Sequence, residues 1–399
     1  MYKDLVEKLV QKNDSRILLA VIDGIGDISV GELGGKTPLE AALTPEMDRL
    51  AQGGALGVHI PIARGITPGS GPAHMGLFGY DPVEYQVGRG VLAALGVGFK
   101  LKHGDLAARI NFCTVNDKGM VTDRRAGRIT TEKCVELVGM LTGIRIKGVE
   151  TFVVPVKQHR ACVVFRGAGL NDDIQDTDPG LVGLKPVPVT GSDKSHRIVQ
   201  EFLRKAEKIL KDLHPANFLL LRGFALHREF PLVDERFGLT AAAIALYPMY
   251  RGVASLIGMN VMKSDPQNLS GQAKAVSKAL DSGHDFIFLH HKPADSSGED
   301  GNVEAKIEAI EEFDRALPSI LDSRLDVVCI TGDHSTPCPM KLHSWHSVPV
   351  LINGGPQRTG YSTGFSERQA LSGAMGSFMS TDIMPLLLAS AGKLAKFGA

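Results

Sequence analysis

The chain has 399 residues, 43% of them hydrophobic, enough for about two cores on a prior of roughly 100 to 200 residues per domain. Lys+Arg and Asp+Glu are equal at 44 each, so no overall field draws nucleic acid or an anionic membrane, and a small ligand held by local contacts is expected. The five cysteines are scattered without a CxxC pair, a pattern that indicates neither a disulfide framework nor a thiolate zinc knot.

The opening MYKDLVEKLVQKND is amphipathic and charge-rich, unlike a signal peptide, and no apolar run reaches the roughly 18 residues of a membrane span. A cytoplasmic protein is expected. The first buried-strand pattern, Ile17 to Ile22 (ILLAVI), delivers Asp23 at its end. A Gly/Pro-rich loop follows at Arg64 to Pro72 (RGITPGSGP). From residue 102 the texture changes: β-branched runs at Thr151 to Val156 (TFVVPV) and Ala161 to Phe165 (ACVVF) alternate with helical pattern such as Thr131 to Leu141. The expected organisation is therefore an inserted α+β domain over 102–216, with 1–101 and 217–399 forming one discontinuous domain. Buried-strand pattern returns at Phe218 to Leu221 (FLLL), then at Phe286 to Leu289 (FIFL), which leads to Asp295 and Glu299. Val303 to Leu317 reads as an amphipathic crossover helix, and Val327 to Ile330 (VVCI) delivers Asp333 and His334.

Fully apolar strands of this length belong in a mostly parallel sheet covered by helices, an α/β fold. Such sheets bind ligands outside the carboxyl ends of their strands, so donors from distant sequence are expected to meet at one edge. Asp23, Asp295, Glu299, Asp333, His334 and His343 offer oxygen and nitrogen, which suits Mn²⁺, Mg²⁺ or Zn²⁺. Ser70 sits between glycines that let the backbone turn and expose a hydroxyl, as an attacking serine needs. The same stretch also fits an ordinary surface loop. With Ser70 there are donors enough for two divalent ions, a clamp suited to phosphoryl transfer. No nucleotide is expected: the Gly24/Gly26 pair lacks its third glycine, and no Gly-Lys-Ser/Thr follows Gly69 and Gly71.

Basic side chains gather in the middle segment, with Arg124, Arg125 and Arg128 in DRRAGR after Asp123, and Arg109, His159, Arg160 and Arg166 beyond. Guanidinium forks match carboxylate and phosphate. An anionic sugar acid held by Arg125 and Arg128 is expected, with Arg124 on a solvated surface.

These residues resemble the archaeal-type cofactor-independent phosphoglycerate mutases of the alkaline phosphatase superfamily. The resemblance rests on VIDGIGD at 21–27, TPGS at 67–70 and AHMGLFGYDP at 73–82. It continues through GRGVLAALG at 88–96, DRRAGR at 123–128, DTDP at 176–179, LLLRG at 219–223, TGDHSTP at 331–337 and the terminal KFGA. It implies an alkaline-phosphatase-like α/β core with an inserted cap, and interconversion of 3-phosphoglycerate and 2-phosphoglycerate without bisphosphoglycerate. It further implies one ion, Mn²⁺ before Mg²⁺, Zn²⁺ or Co²⁺, on Asp23, Ser70, Asp333 and His334, and another on Asp295, Glu299 and His343. Ser70 would carry the phosphoryl group in transit, and Asp123, Arg125, Arg128, His159 and Arg160 would contact the substrate. Two departures stand out: Glu299 where the family has histidine, and Gly71 with Pro72 where an acidic residue commonly follows the serine. They leave open a second reading, a metal-dependent phosphotransferase acting on another small hydroxyl substrate such as an amino-acid alcohol. Oligomeric state is left open.

Overall fold

The computed structural model describes residues 3–262 and 268–398. Met1, Tyr2, 263–267 and Ala399, the last residue of the KFGA motif, lie outside the described residues. The chain divides into two compact units, the first made of Met1–Gln86, Pro231–Leu246 and Ile257–Ala399, the second of Val87–Phe230 and Tyr247–Leu256.

The first unit is built on an eight-stranded sheet. Its spatial order is Gly376–Met379, Ala55–Ile60, Val348–Asn353, Val327–Thr331, Ile17–Ile22, Phe286–His291, Ala241–Ile244 and Asn260–Val261. Only Val348–Asn353 runs against both its neighbours; the other pairings are parallel. The three central strands are buried along their whole length, which is why they read as unbroken apolar runs. Alternate residues serve opposite faces. Leu18, Ala20, Ile22, Leu289 and Ile330 share a core with Ile310, Phe313 and Leu317 of the helix Val303–Ile320, while Phe288 packs edge-on against Phe78 and His74. The register aligns the carboxyl ends: Ile22 is opposite His291, and Val21 is opposite Thr331. Whatever follows these strands emerges at one edge.

The second unit holds a five-stranded antiparallel sheet. Leu106–Val115 lies between Arg160–Arg166 and Phe218–Leu226, with the short Val121–Asp123 at its end, and Glu150–Lys157 forms a hairpin with Arg160–Arg166. Helices Thr131–Leu141 and Lys194–Leu210 bury Leu137, Leu141, Phe202 and Leu210 with Ile110, Phe165 and Leu221. The helices Arg89–Gly96 and Pro248–Leu256 cross at glycines. A Cβ on Gly96 would stand 1.8 Å from the Pro248 carbonyl oxygen, and one on Gly252 2.2 Å from that of Leu92.

These units part at different residues from the expected 101 and 216. The strand holding FLLL supplies an edge of the second sheet by pairing with Leu106–Val115. An apolar run shows that a strand is buried without saying in which sheet, so Phe218 reads from sequence like the strands of the first unit.

Candidate metal centre and a separate guanidinium cluster

Asp23 leaves the strand Ile17–Ile22 through Gly24, whose φ of +67° is held easily by glycine. A Cβ there would lie 2.8 Å from Asp295 Cα. Asp333 and His334 leave the neighbouring strand, and Asp333 Oδ1 accepts from the Gly24 amide at 3.2 Å. Asp295 lies in the first turn of the helix Pro293–Asp300, which follows Phe286–His291. All four side chains are fully buried.

Their donor atoms converge. Asp23, Asp333 and His334 place one ligand atom each within 4.8 Å of one another, and Asp295, His334 and His343 do the same. His334 belongs to both groups. Its Nε2 faces Asp333 Oδ2 at 3.2 Å, Asp23 Oδ1 at 3.5 Å and Asp295 Oδ1 at 3.9 Å. The His343 ring stacks on that of His334 with centroids 3.6 Å apart. His343 Nδ1 donates to the Pro68 carbonyl at 3.0 Å, so its Nε2 is the nitrogen turned to Asp295, at 3.5 Å.

Ser70 opens the helix Ser70–Leu77 after Gly69, and its hydroxyl reaches His334 Nε2 at 3.3 Å. The surface-loop alternative for this serine is therefore not its setting: it begins a helix whose partial positive end favours developing negative charge.

Burial and charge act together on these groups. Burial, and then Asp23, push Asp333 up to about 6. Burial also favours a protonated Asp23, but the bond from His290 and the charge of Lys292 outweigh it and hold this carboxyl well below the usual range. Burial keeps His334 well below the ordinary imidazole value, and so neutral. Close carboxylates with inward imidazole lone pairs repel unless a cation lies among them. The donors are hard or borderline, as a divalent ion needs. The residues present fit such ions.

Other groups of this centre carry no spacing signal. His290, the fifth residue of its strand, donates from Nε2 to Asp23 Oδ2 at 3.0 Å. Lys292 pairs with both Asp23 and Asp295, and these carboxylates outweigh burial to raise its ammonium. His74, one turn after Ser70, donates from Nδ1 to the Ser70 carbonyl at 2.8 Å and lies 3.3 Å from Asp333 Oδ2. Thr336 touches Asp295 and His334.

Glu299 follows Asp295 by one helical turn, on the same face. Its side chain is 56% exposed, with Oε1 3.7 Å from His343 Nε2. The tight donor group around Asp295 and His343 contains His334 rather than Glu299.

The second unit has its own charged cluster. Burial, then Arg160, Arg89 and Arg222, bring Arg109 down to about 10. Burial, then Arg160, Arg125, Arg109 and Arg128, bring His159 down to about 4. Arg109 Nε and His159 Nδ1 are buried without a hydrogen-bond partner. Guanidinium groups packed this way, with Arg109 Nε as an unspent donor, suit an anion. Arg89, Arg109 and Arg222 were not among the substrate contacts expected from sequence. The Asp123 carboxylate accepts from the backbone amides of Arg125 and Gly127, at 2.7 and 2.6 Å, and so shapes the loop presenting Arg125 and Arg128. Arg124 is not a lone solvated charge: it forks onto Asp178 with bonds of 2.8 and 2.9 Å.

Hard donors gathered where a mostly parallel sheet ends, within reach of a serine hydroxyl, are the chemistry of divalent-cation enzymes that move phosphoryl groups. The family model for 2,3-bisphosphoglycerate-independent phosphoglycerate mutase matches residues 51–217. A protein of Aquifex aeolicus described as a probable 2,3-bisphosphoglycerate-independent phosphoglycerate mutase is 45% identical, over 99% of this chain and all of its own length. One of Thermus thermophilus with the same description is 45% identical over 99% of both chains. Among solved structures, a Pyrococcus horikoshii protein superposes with a TM-score of 0.84 at 34% identity, covering 96% of this chain and 99% of its own. The cofactor-independent phosphoglycerate mutase of Thermoplasma acidophilum gives 0.72 at 30% identity, covering 95% and 100%. The chain belongs to the 2,3-bisphosphoglycerate-independent phosphoglycerate mutase family, whose members are isomerases. Among the described residues no helix is long and apolar enough to cross a membrane.

Proposed function

We propose that this protein interconverts 3-phosphoglycerate and 2-phosphoglycerate, with Ser70 as the relay. The observation that carries this reading is the Ser70 hydroxyl, at a helix start and 3.3 Å from Nε2 of His334, which belongs to both donor groups. Asp23, Ser70, Asp333 and His334 would hold one divalent ion, Mn²⁺ before Mg²⁺, Zn²⁺ or Co²⁺. Asp295 and His343 would hold the other, with Glu299 completing its shell from the exposed side. Bound there, such ions ionise a hydroxyl more readily and neutralise phosphoryl oxygens.

The chain's own groups supply the rest. Ser70 Oγ gives up its proton and forms a bond to phosphorus as the bond from phosphorus to the 3-oxygen of glycerate breaks, and the departing oxygen takes up a proton in exchange for the one that Ser70 released. The 2-oxygen of the same glycerate then attacks the phosphoserine, loses its proton and leaves Ser70 as it began. No outside phosphate donor enters the balance. Lys292, paired with Asp23 and Asp295, adds positive charge where the transferring group is most negative. Within the second unit, Arg109, Arg125, Arg128 and Arg160, with His159, are the candidate contacts for an anionic group.

The test is phosphorus NMR of purified, Mn²⁺-loaded protein supplied with 3-phosphoglycerate alone. Appearance of 2-phosphoglycerate without added bisphosphoglycerate or nucleotide is expected, with phosphate-borne label fully retained. Turnover only on another phosphorylated alcohol would overturn this reading.

A further inference from the structure

Thr336 lies two residues beyond His334 and has no part in the scheme above. Its Oγ1 stands 2.6 Å from Asp295 Oδ1 and 3.0 Å from His334 Nδ1. A threonine hydroxyl carries one proton, and a carboxylate offers none. The proton on Oγ1 therefore goes to Asp295, and Oγ1 accepts from His334 Nδ1–H. That fixes the imidazole tautomer. Nε2 is left with the lone pair, on the side facing Asp23, Asp333 and Ser70.

The hydroxyl cannot easily turn away. The Thr336 amide donates to the Gly26 carbonyl at 3.0 Å, and its own carbonyl accepts from Lys306 Nζ at 2.9 Å. Glycines wall the side chain on two sides: a Cβ on Gly298 would lie 2.9 Å from the Thr336 methyl, and one on Gly24 2.6 Å from Oγ1. The methyl thus selects the rotamer that aims the hydroxyl.

We propose that Thr336 is a positioning residue that joins the two donor groups into one unit, setting the His334 tautomer and aiming Asp295 through a single hydroxyl. A hydrogen-bond chain with one direction, His334 to Thr336 to Asp295, ties the histidine common to both groups to the carboxylate that belongs to one of them. The inference rests on the two-ion reading of the centre. Outer partners of this kind change metal affinity on the order of tenfold to a hundredfold.

The experiment titrates metal-free wild type, Thr336→Val and Thr336→Ser with Mn²⁺ by calorimetry, with no substrate present. Thr336→Val keeps the outline and loses the hydroxyl; it is expected to weaken uptake of both ions by about tenfold or more. Thr336→Ser, which keeps the hydroxyl, should retain both affinities. Long-range ¹H–¹⁵N spectra of histidine-labelled protein should place the His334 proton on Nδ1 in wild type and in Thr336→Ser, and not hold it there in Thr336→Val. Two ions bound by Thr336→Val as tightly as by wild type would overturn this inference alone. A wild type that takes up fewer than two ions would overturn the two-ion reading and this inference with it.

Discussion

The Ser70 hydroxyl and His334 Nε2 lie 3.3 Å apart although 264 residues separate them in the chain. The contact places the proposed nucleophile against the imidazole that both donor groups contain. Ser70→Ala should lower turnover of 3-phosphoglycerate by a factor on the order of 10⁴ or more, since the covalent relay is gone. It should leave manganese uptake largely in place, because Asp23, Asp333 and His334 remain. Activity by phosphorus NMR and metal content by plasma emission check the two halves; turnover close to wild type would remove Ser70 from the mechanism.

The guanidinium cluster gives a second expectation. Arg160 is one member of a mutually repelling set: partial burial, then Arg125 and Arg128, hold its guanidinium below the ordinary value. Arg160→Ala should weaken transition-state stabilisation by less than the roughly 2 to 5 kcal/mol that truncating one partner of a desolvated charge pair costs, because this residue is exposed at the start of its strand. Steady-state kinetics measure this as a fall in kcat/KM, and unchanged kinetics would assign the cluster another task.

Glu299 is the exposed member of its helix face. Glu299→Ala should weaken one manganese ion of two by roughly tenfold, a modest change for a carboxylate still reached by water. Glu299→His should restore uptake with preference shifted toward Zn²⁺, which imidazole suits better. Competitive metal titration decides it, and two ions held as in wild type by the alanine variant would make Glu299 a bystander.

Divalent ions should also stabilise the fold. An ion at a hundred times its dissociation constant adds about 2.7 kcal/mol per site to unfolding free energy. Urea unfolding with Mn²⁺ and with a chelator should differ by an amount of this order. Coincident curves would argue against ions in the buried carboxylate group.

A pH effect arises away from the centre. Burial raises Glu367 to about 7, from an ordinary 4.5; it accepts from the Thr37 hydroxyl at 2.7 Å and the Asp27 amide at 3.1 Å. The native state therefore holds a proton that the unfolded chain releases between these values. The stability it contributes is complete below about pH 4.5 and lost as pH rises through about 7, up to about 3 kcal/mol. Glu367→Gln keeps an acceptor for the Asp27 amide and should flatten this decline. Urea unfolding of both proteins at pH 5 and pH 8 would show it; parallel pH dependence would locate the effect elsewhere.

Much of the first unit is legible in sequence because its strands are buried on both faces. ILLAVI, FIFL and VVCI read as strands, and the structure brings the residues after them to one edge. The hairpin of TFVVPV and ACVVF and the helix Thr131–Leu141 are legible for the same reason, strong local periodicity. Thr336, His290 and Lys292 are not. Each earns its place by a contact across the fold, and nothing in a Thr-Pro or a His-His-Lys says which carboxylate it will meet. Arg89 and Arg222 are likewise not legible: they sit on the helix Arg89–Gly96 and the strand Phe218–Leu226, outside the arginine-rich middle stretch of the sequence. Asp123 shows a different limit, since sequence gives its charge but not that backbone amides would take it up.

The DRRAGR loop has a consequence for how this protein would drift under selection. Ala126, Gly127 and Arg128 all have positive φ, at 47°, 63° and 53°, although only glycine holds such backbone easily; each of the others is strained by about 1 to 2 kcal/mol. At Arg128, where the side chain is not part of the core, glycine would relieve that strain. Selection for stability alone therefore pulls this position toward glycine, and only use of the guanidinium opposes it. A lineage freed from its anionic ligand should lose Arg128 early, long before its core changes, so glycine at this position in a descendant would mark a change of task rather than decay of the fold.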